Sequence, residues 1–582
     1  MILERINSPK DVKTLSNEEL VTLSDEMRDA LLKSVSKFGG HLGPNLGVIE
    51  LTVALHYVFD SPKDKIVFDV SHQCYAHKML TGRKEAYLDD DKHSLYSGFT
   101  NPKESEHDIF EVGHTSTAIS LANGLARARD LLGGKENVIA IIGDGSLSGG
   151  EAYEGLNNVA ETKTNTIVIV NDNENSIGEN HGGYVFNLNE LRATNGKAKD
   201  NFFKAIGFDY IYVEEGNDVL KLIDVFKTIK DIDHPIVIHI HTQKGNGYKY
   251  AMENPEKFHS LTPFNIETGE VLRKVTDETY PELTMSYIEK KIGEGEPIVA
   301  INAGTSGFVF AADKERREKL GKHFIDVGIC EEHAAAMSSG MAKRGARAIW
   351  AVSASFMQRA YDQIMQDICL NNSPVTILDE NGGGLAGQGA PTHSGIYDIA
   401  MLMSIPNLVY LAPIFKEEYM AMLDWAIHQS KHPVCIHVPL KVISSGKKDN
   451  TDYSILNQSK IIKQGEKVAI IAVGSTYERA VALDTALGGN CTIINPVFLS
   501  GLDKKMLDSL KDKHQIVVTL EDGVIEGGFG QKIAAYYGPT DMKVLTYGIP
   551  KEFHSKKTAA EMETLSSMSI EQMANAVESL LK

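Results

Sequence analysis

The sequence predicts an α/β protein of three modules, each built on a parallel sheet, and two observations carry that expectation. Short β-branched runs alternate with longer stretches of helical periodicity along most of the chain. Two polar stretches, residues 270–285 around Pro281 and residues 442–460 with SSGKKDNTD, interrupt the alternation and read as linkers. They divide the chain into expected modules at 1–275, 282–445 and 455–582. A length of 582 residues allows three or four domains at roughly 150 residues each, every one large enough for its own core.

The strands are expected at VIAII (138–142), TIVIV (166–170), PIVIHI (235–240), PIVAI (297–301), PVTIL (374–378) and KVAIIAV (467–473). Residues 148–160 have a helical pattern, so the first two runs frame a βαβ unit. Both strands of such a unit end at the same carboxyl edge, where open parallel sheets bind ligands. Residues 176–200 follow a strand end and are polar with weak periodicity, which suits either a mobile loop over a site or a surface excursion. Asp89, Asp90 and Asp91 read as a solvated loop.

Composition narrows the function. No apolar run approaches the ~18 residues that span a bilayer, and the N-terminus has polar residues where a secretion signal needs an apolar core. A cytoplasmic protein is expected. A formal charge of −19 would repel phosphate backbones and anionic lipids, so neither nucleic acid nor membrane is expected as a partner. Five cysteines lie far apart without a CxxC pair and read as reduced thiols.

The chemistry begins at VIAIIGDGSLSGG, where an apolar run ends on Asp144 between Gly143 and Gly145. A carboxylate at the end of a buried strand is costly unless a charge or a hydrogen bond meets it. The second strand runs into Asn171-Asp172-Asn173, so Asp144 and Asn173 can sit side by side. One carboxylate, one amide oxygen and a backbone carbonyl make a hard, incomplete oxygen set. Magnesium suits it, since that ion completes its shell with water and substrate phosphates. The flanking glycines permit close approach of a phosphate. GDGSLSGGE lacks the Lys of a Walker loop, and Ser148 stands where a dinucleotide fingerprint needs Gly. The plain alternative is a tight turn whose Asp caps the following helix.

GDG, a helix of this length and NDN together resemble the signature of thiamine-diphosphate enzymes. GGHLGPNLGVIELTVALHYVF from Gly39, DVSHQCYAHKMLTGR from Asp69, EVGHTSTAIS from Glu111 and TQKGNGY from Thr242 narrow the resemblance. So do DVGICEEHAAA from Asp326, SFMQRAYDQ from Ser355, APTHSGIYD from Ala390 and EDGVIEGGFG from Glu521. Over nearly its whole length the chain resembles the 1-deoxy-D-xylulose-5-phosphate synthases, relatives of transketolase. The resemblance implies three α/β domains of the transketolase type: a diphosphate-binding domain, a pyrimidine-binding domain and a C-terminal domain. It also implies a homodimer with thiamine diphosphate and Mg2+ as cofactors.

By that resemblance Asp144, Asn173 and Asn175 would hold the metal, and His72, Gly113, His114, Thr115, Gly145, Ser146, Asn173 and Tyr248 would contact the cofactor. Glu331 would activate it from the middle module, and His41, His259, His393 and Arg359 would serve substrate binding and proton transfer. Lys244 either neutralises the diphosphate or is solvated. The reaction implied is decarboxylation of pyruvate and joining of its two-carbon unit to D-glyceraldehyde 3-phosphate, serving isoprenoid, thiamine and pyridoxal synthesis. Several acceptor positions depart from the family pattern: Gly382 and Leu440 stand where arginines are expected, Gly389 where an acid is, and a Tyr near Ser353 is replaced. A related carboligase with another, unphosphorylated acceptor, a transketolase-like ketol transfer, a pyruvate-decarboxylating component feeding a carrier protein, and a cofactor-binding regulatory or scaffold protein are the alternatives.

Overall fold

A computed structural model describes residues 1–273, 277–385, 387–554 and 557–582. The expected boundary at 275 therefore lies outside the described residues. The chain forms two compact units, one of residues 1–276 with 328–330 and one of residues 277–327 with 331–582.

The first unit holds β1 (Lys65–Phe68), β2 (Val138–Gly143), β3 (Thr166–Asp172), β4 (Asp209–Val213) and β5 (Pro235–His241). They form an all-parallel sheet in the order β1-β2-β3-β5-β4. Alternate residues of each strand feed two cores, because side chains leave a strand on opposite faces. Ile139, Ile141, Ile167, Ile169 and Ile238 join Leu31, Leu55 and Phe226 on one side. Val138, Ala140, Ile142, Val168 and Val170 join Ile119, Ala122 and Leu156 on the other. Both faces are covered, which is why these strands read as unbroken apolar runs.

The second unit holds β6 (Ile298–Asn302), β7 (Phe324–Asp326), β8 (Arg347–Ser353), β9 (Thr376–Glu380), β10 (Gly387–Gln388), β11 (Val409–Leu411) and β12 (Val434–His437). It continues with β13 (Lys460–Lys463), β14 (Lys467–Ala472), β15 (Thr492–Asn495), β16 (His514–Val524), β17 (Lys543–Ile549) and β18 (Lys557–Thr558). One parallel sheet runs β11-β12-β9-β8-β6-β7, a second runs β13-β15-β14-β16-β17, and β10 pairs with β18. Here the parallel expectation needs correction, because β13 lies antiparallel to β15 at an edge and β10 antiparallel to β18. The two larger sheets share one apolar cluster, in which Trp350, Ile377 and Tyr410 meet Ile471, Val517 and Phe529. That common core makes the middle and C-terminal modules a single unit.

Three local expectations change. The stretch 270–285 is not linker throughout, since the helix Tyr280–Gly293 begins inside it with Pro281 in its first turn and Thr279 as its cap. Proline is tolerated there because the first-turn N–H groups have no partner within the helix. The stretch 442–460 lacks regular structure until β13, yet it is packed: Tyr453 is buried, and Glu417 accepts from the backbone of Ser445 at 2.9 Å. Residues 176–200 contain the helix Tyr184–Ala193. Asp89 caps a short turn over Asp90–Leu95, and Asp90 pairs with Lys37 at the surface. All five cysteines are free. No described helix is long and apolar enough to cross a membrane.

Candidate active site

In the first unit β2 delivers Asp144 and β3 delivers Asn173 to one edge of the sheet, as adjacent parallel strands require. Residues 148–160 are not one helix: a 3-10 turn, Gly145–Ser148, precedes the helix Gly150–Ala160. Asp144 Oδ1 accepts from the Gly145 backbone at 3.0 Å, so this residue does cap the turn. Its other oxygen accepts from Asn180 Nδ2 at 2.7 Å, and its backbone carbonyl accepts from the Tyr184 hydroxyl at 2.7 Å. Asp144 is 1% exposed, and burial together with the nearby Asp172 carboxylate pushes its carboxyl well above the usual range. Asp172 goes the other way: His239 Nε2 at 2.8 Å and Arg192 hold it ionised. Asn180 Oδ1 is buried with no hydrogen-bond partner. Asn173 and Asn175 form a tight turn in which the Asn175 backbone donates to Asn173 Oδ1 at 3.3 Å. Carboxylate, amide and carbonyl oxygens thus collect at one edge, a donor set that fits a hard divalent ion.

The segment Gly113-His114-Thr115 is anchored at its C-terminal end. Asp69 accepts from the backbones of Ser116 and Ala118 at 2.9 and 3.0 Å, and the Ser116 hydroxyl donates to the Ser146 carbonyl at 2.8 Å. A Cβ on Gly149 would lie 2.2 Å from Ser116 Oγ, and one on Gly145 would lie 2.7 Å from Ser176 Cβ. Glycine at both places is a packing requirement.

His41, His72 and His259 form a cluster with ring centroids 4.9 to 5.7 Å apart. Buried Asn45 aligns two of them, donating to the His41 and His72 carbonyls at 2.8 Å each and accepting from the Tyr75 backbone. Burial and the adjacent Lys244 hold His259 well below its ordinary value, so its imidazole is neutral. Lys244 itself is not solvated, contrary to the alternative raised for a Lys after a strand. It is buried, donates to the carbonyls of Ser176 and Ile177, and is pushed down to about 8 by desolvation. Tyr248 is a core residue: its hydroxyl donates to the Ile266 carbonyl at 2.8 Å and its ring packs against Phe258 and Phe264.

In the second unit Glu331 opens the helix Glu331–Lys343 and is 2% exposed. Its Oε2 accepts no hydrogen bond and lies 3.7 Å from Arg359 Nη1. Burial pushes its carboxyl up to about 7, against the pull of Arg359. His393 is exposed, with its Nδ1 3.0 Å from Thr392 Oγ1 and its ring edge-on to Phe356. The departure at Gly382 has a local reason. A Cβ on Gly382 would lie 2.3 Å from Asp398 Oδ2, so the backbone here excludes any side chain, arginine included. Leu440 is 43% exposed, Gly389 is exposed, and Ser353 ends β8 with its hydroxyl accepting from Asn381 at 3.3 Å. Asn45, Asp69 and Asn180 went unnoticed in the sequence. Only the neighbourhood of Asn45 with GGHLGPN, and of Asp69 with the DVSHQ motif, offered a signal.

The matches to known families place the chain among the transketolase-type enzymes. The first part of the chain matches the family described as 1-deoxy-D-xylulose-5-phosphate synthase over residues 3–199 and 195–242. The transketolase pyrimidine-binding domain matches 280–442 and the transketolase C-terminal domain 457–573. The 1-deoxy-D-xylulose-5-phosphate synthase of Clostridium acetobutylicum is 38% identical over 599 residues, covering 95% of each chain. That of Syntrophomonas wolfei is 39% identical and covers 95% of this chain and 92% of its own, and that of Pelotomaculum thermopropionicum is 36% identical over 99% and 96%. The chain belongs to the 1-deoxy-D-xylulose-5-phosphate synthase family. Among solved structures, a transketolase from Campylobacter jejuni aligns over 96% of this chain and 98% of its own, at 16% identity and a TM-score of 0.43.

Proposed function

We propose that the protein is a thiamine-diphosphate- and Mg2+-dependent transferase that makes 1-deoxy-D-xylulose 5-phosphate from pyruvate and D-glyceraldehyde 3-phosphate with release of carbon dioxide. The family membership supports the reaction, and the observation that carries the cofactor chemistry is Glu331: a buried carboxyl near pH 7 with an oxygen that has no hydrogen-bond partner. Such a group can be protonated at neutral pH and donate to a ring nitrogen. When bound, thiamine diphosphate supplies the nucleophilic carbon that carries the two-carbon unit.

The chain's own residues then divide the work. Asp144, Asn173 and Asn175 hold the metal, while Gly113–Thr115, Gly145 and Ser146 face the diphosphate. Lys244 braces the 176–177 backbone beside that edge. Neutral His259, with His41, exchanges protons with substrate oxygens, because a neutral imidazole can both accept and donate, and His72 contacts the cofactor. Arg359 orients Glu331 and supplies positive charge for an anionic substrate. His393 serves the acceptor. Three domains at 1–275, 282–445 and 455–582, a homodimer and a cytoplasmic site complete the reading. Family resemblance supports the dimer, and five free thiols suit a reducing compartment.

Glu331→Gln keeps the shape but removes the transferable proton. It is expected to lower kcat at least a hundredfold while Mg2+ and thiamine diphosphate still bind in a calorimetric titration. Wild-type turnover in that variant would overturn the assignment.

A further inference from the structure

Four buried side chains that the proposed reaction does not use meet beneath the Gly382–Gly383 backbone. His437 ends β12, and Asp379 is its register partner on the neighbouring β9. Asp398 opens the helix Asp398–Leu402, and Asp522 lies in β16 of the adjoining sheet. All four are at most 1% exposed. His437 Nδ1 lies 3.0 Å from Asp398 Oδ2 and 3.5 Å from Asp379 Oδ2, while Nε2 on the far side of the ring lies 3.6 Å from Asp522 Oδ1.

The Tyr410 hydroxyl also lies 3.4 Å from His437 Nδ1. Asp398 Oδ1 accepts from the Ile399 backbone at 2.7 Å, Asp379 Oδ2 accepts from the Tyr410 hydroxyl at 2.8 Å, and Asp522 Oδ2 accepts from Ser475. Asp379 Oδ1, Asp398 Oδ2 and Asp522 Oδ1 are buried without a hydrogen bond. Among the described residues no lysine or arginine pairs with any of these carboxylates. Buried polar oxygens without a partner are costly, and a bound cation would give them one.

We propose that Asp379, Asp398 and His437 Nδ1 bind a divalent transition-metal ion of the zinc type. Ligand atoms from these three residues lie within 4.8 Å of one another, against about 3.4 Å for a tetrahedral shell with bonds of ~2.1 Å, so a small contraction closes the site. An imidazole with carboxylates favours zinc over magnesium. Asp522 faces the second ring nitrogen, as the carboxylate behind a metal-bound histidine does when it fixes the tautomer. The cover is glycine by necessity: a Cβ on Gly382 would lie 2.9 Å from His437 Nδ1, and one on Gly383 would lie 2.4 Å from Asp522 Oδ2. Because Asp522 belongs to the C-terminal sheet and the three ligands to the middle module, the ion would tie the two modules together.

The test is zinc content of the full-length protein, loaded with Zn2+ in excess Mg2+ and thiamine diphosphate, desalted and measured by plasma mass spectrometry. About one zinc per chain is expected, falling below one tenth in Asp398→Asn and His437→Gln. Circular dichroism checks the fold of each variant. Should either fail to fold, Asp522→Asn keeps the three ligands and is expected to weaken zinc binding 10- to 100-fold. A folded wild-type protein with less than one tenth of a zinc, or zinc retained equally by Asp398→Asn, would overturn the site and leave an imidazolium–carboxylate cluster in its place.

Discussion

Glu331 shows how burial sets the protonation of one residue. Its folded carboxyl titrates at about 7 against an ordinary 4.5, so between those pH values the folded chain holds a proton that the unfolded chain has lost. Stability contributed at this position is therefore intact below pH ~4.5, declines as pH rises to 7, and is fully lost above it. The shift corresponds to a cost on the order of 3 kcal/mol. In the cofactor-free protein, Glu331→Gln is accordingly expected to raise the unfolding free energy at pH 8.5 and to change it little at pH 5. Denaturant unfolding at both pH values checks this, and an equal effect at both would contradict the assigned burial. The residue was legible because it follows DVGIC and starts a helical pattern. The raised carboxyl was not, since it depends on packing from elsewhere in the unit. His437 with its three aspartates was invisible for the same reason: four elements supply them, with no spacing to mark them.

At the scale of elements, the turn between β2 and the helix Gly150–Ala160 fixes the Asp144 edge, and two consecutive glycines there have opposite roles. A Cβ on Gly149 collides with Ser116, which pins the 113–115 segment, whereas a Cβ on Gly150 meets nothing within 4 Å. Gly149→Ala is expected to cost about 1–3 kcal/mol through overpacking. Gly150→Ala should be neutral or stabilising by about 0.5–1 kcal/mol, as alanine is in a helix. Melting of the two variants compares them directly, and equal midpoints would show that the Ser116 contact does not constrain the turn. The strands and the GDG and NDN ends were readable because apolar runs and glycine turns act locally. The 3-10 turn at Gly145–Ser148, the helix within 176–200 and the antiparallel β13 were not, since tertiary partners decide them.

At the scale of the molecule, the sequence shows three repeats of α/β patterning but not which of them share a core. Trp350 on β8 and Phe529 behind the C-terminal sheet lie in one cluster, so those sheets should unfold together. Both tryptophans, Trp350 and Trp425, lie in the middle module and report on it alone. Phe529→Ala removes a buried ring and should cost about 3–5 kcal/mol. The tryptophan fluorescence transition is expected to move to lower denaturant with the rest of the second unit. An unmoved transition would mean that the modules unfold independently.

The central claim is the reaction, and the most direct measurement is mass spectrometry of products from the protein with Mg2+, thiamine diphosphate and pyruvate, offering D-glyceraldehyde 3-phosphate and unphosphorylated glyceraldehyde in competition. The account predicts carbon dioxide release and 1-deoxy-D-xylulose 5-phosphate as the main product, formed even though Gly382 and Leu440 stand where arginines were expected. Free deoxyxylulose in its place, or no carboligation product from either aldehyde, would contradict it.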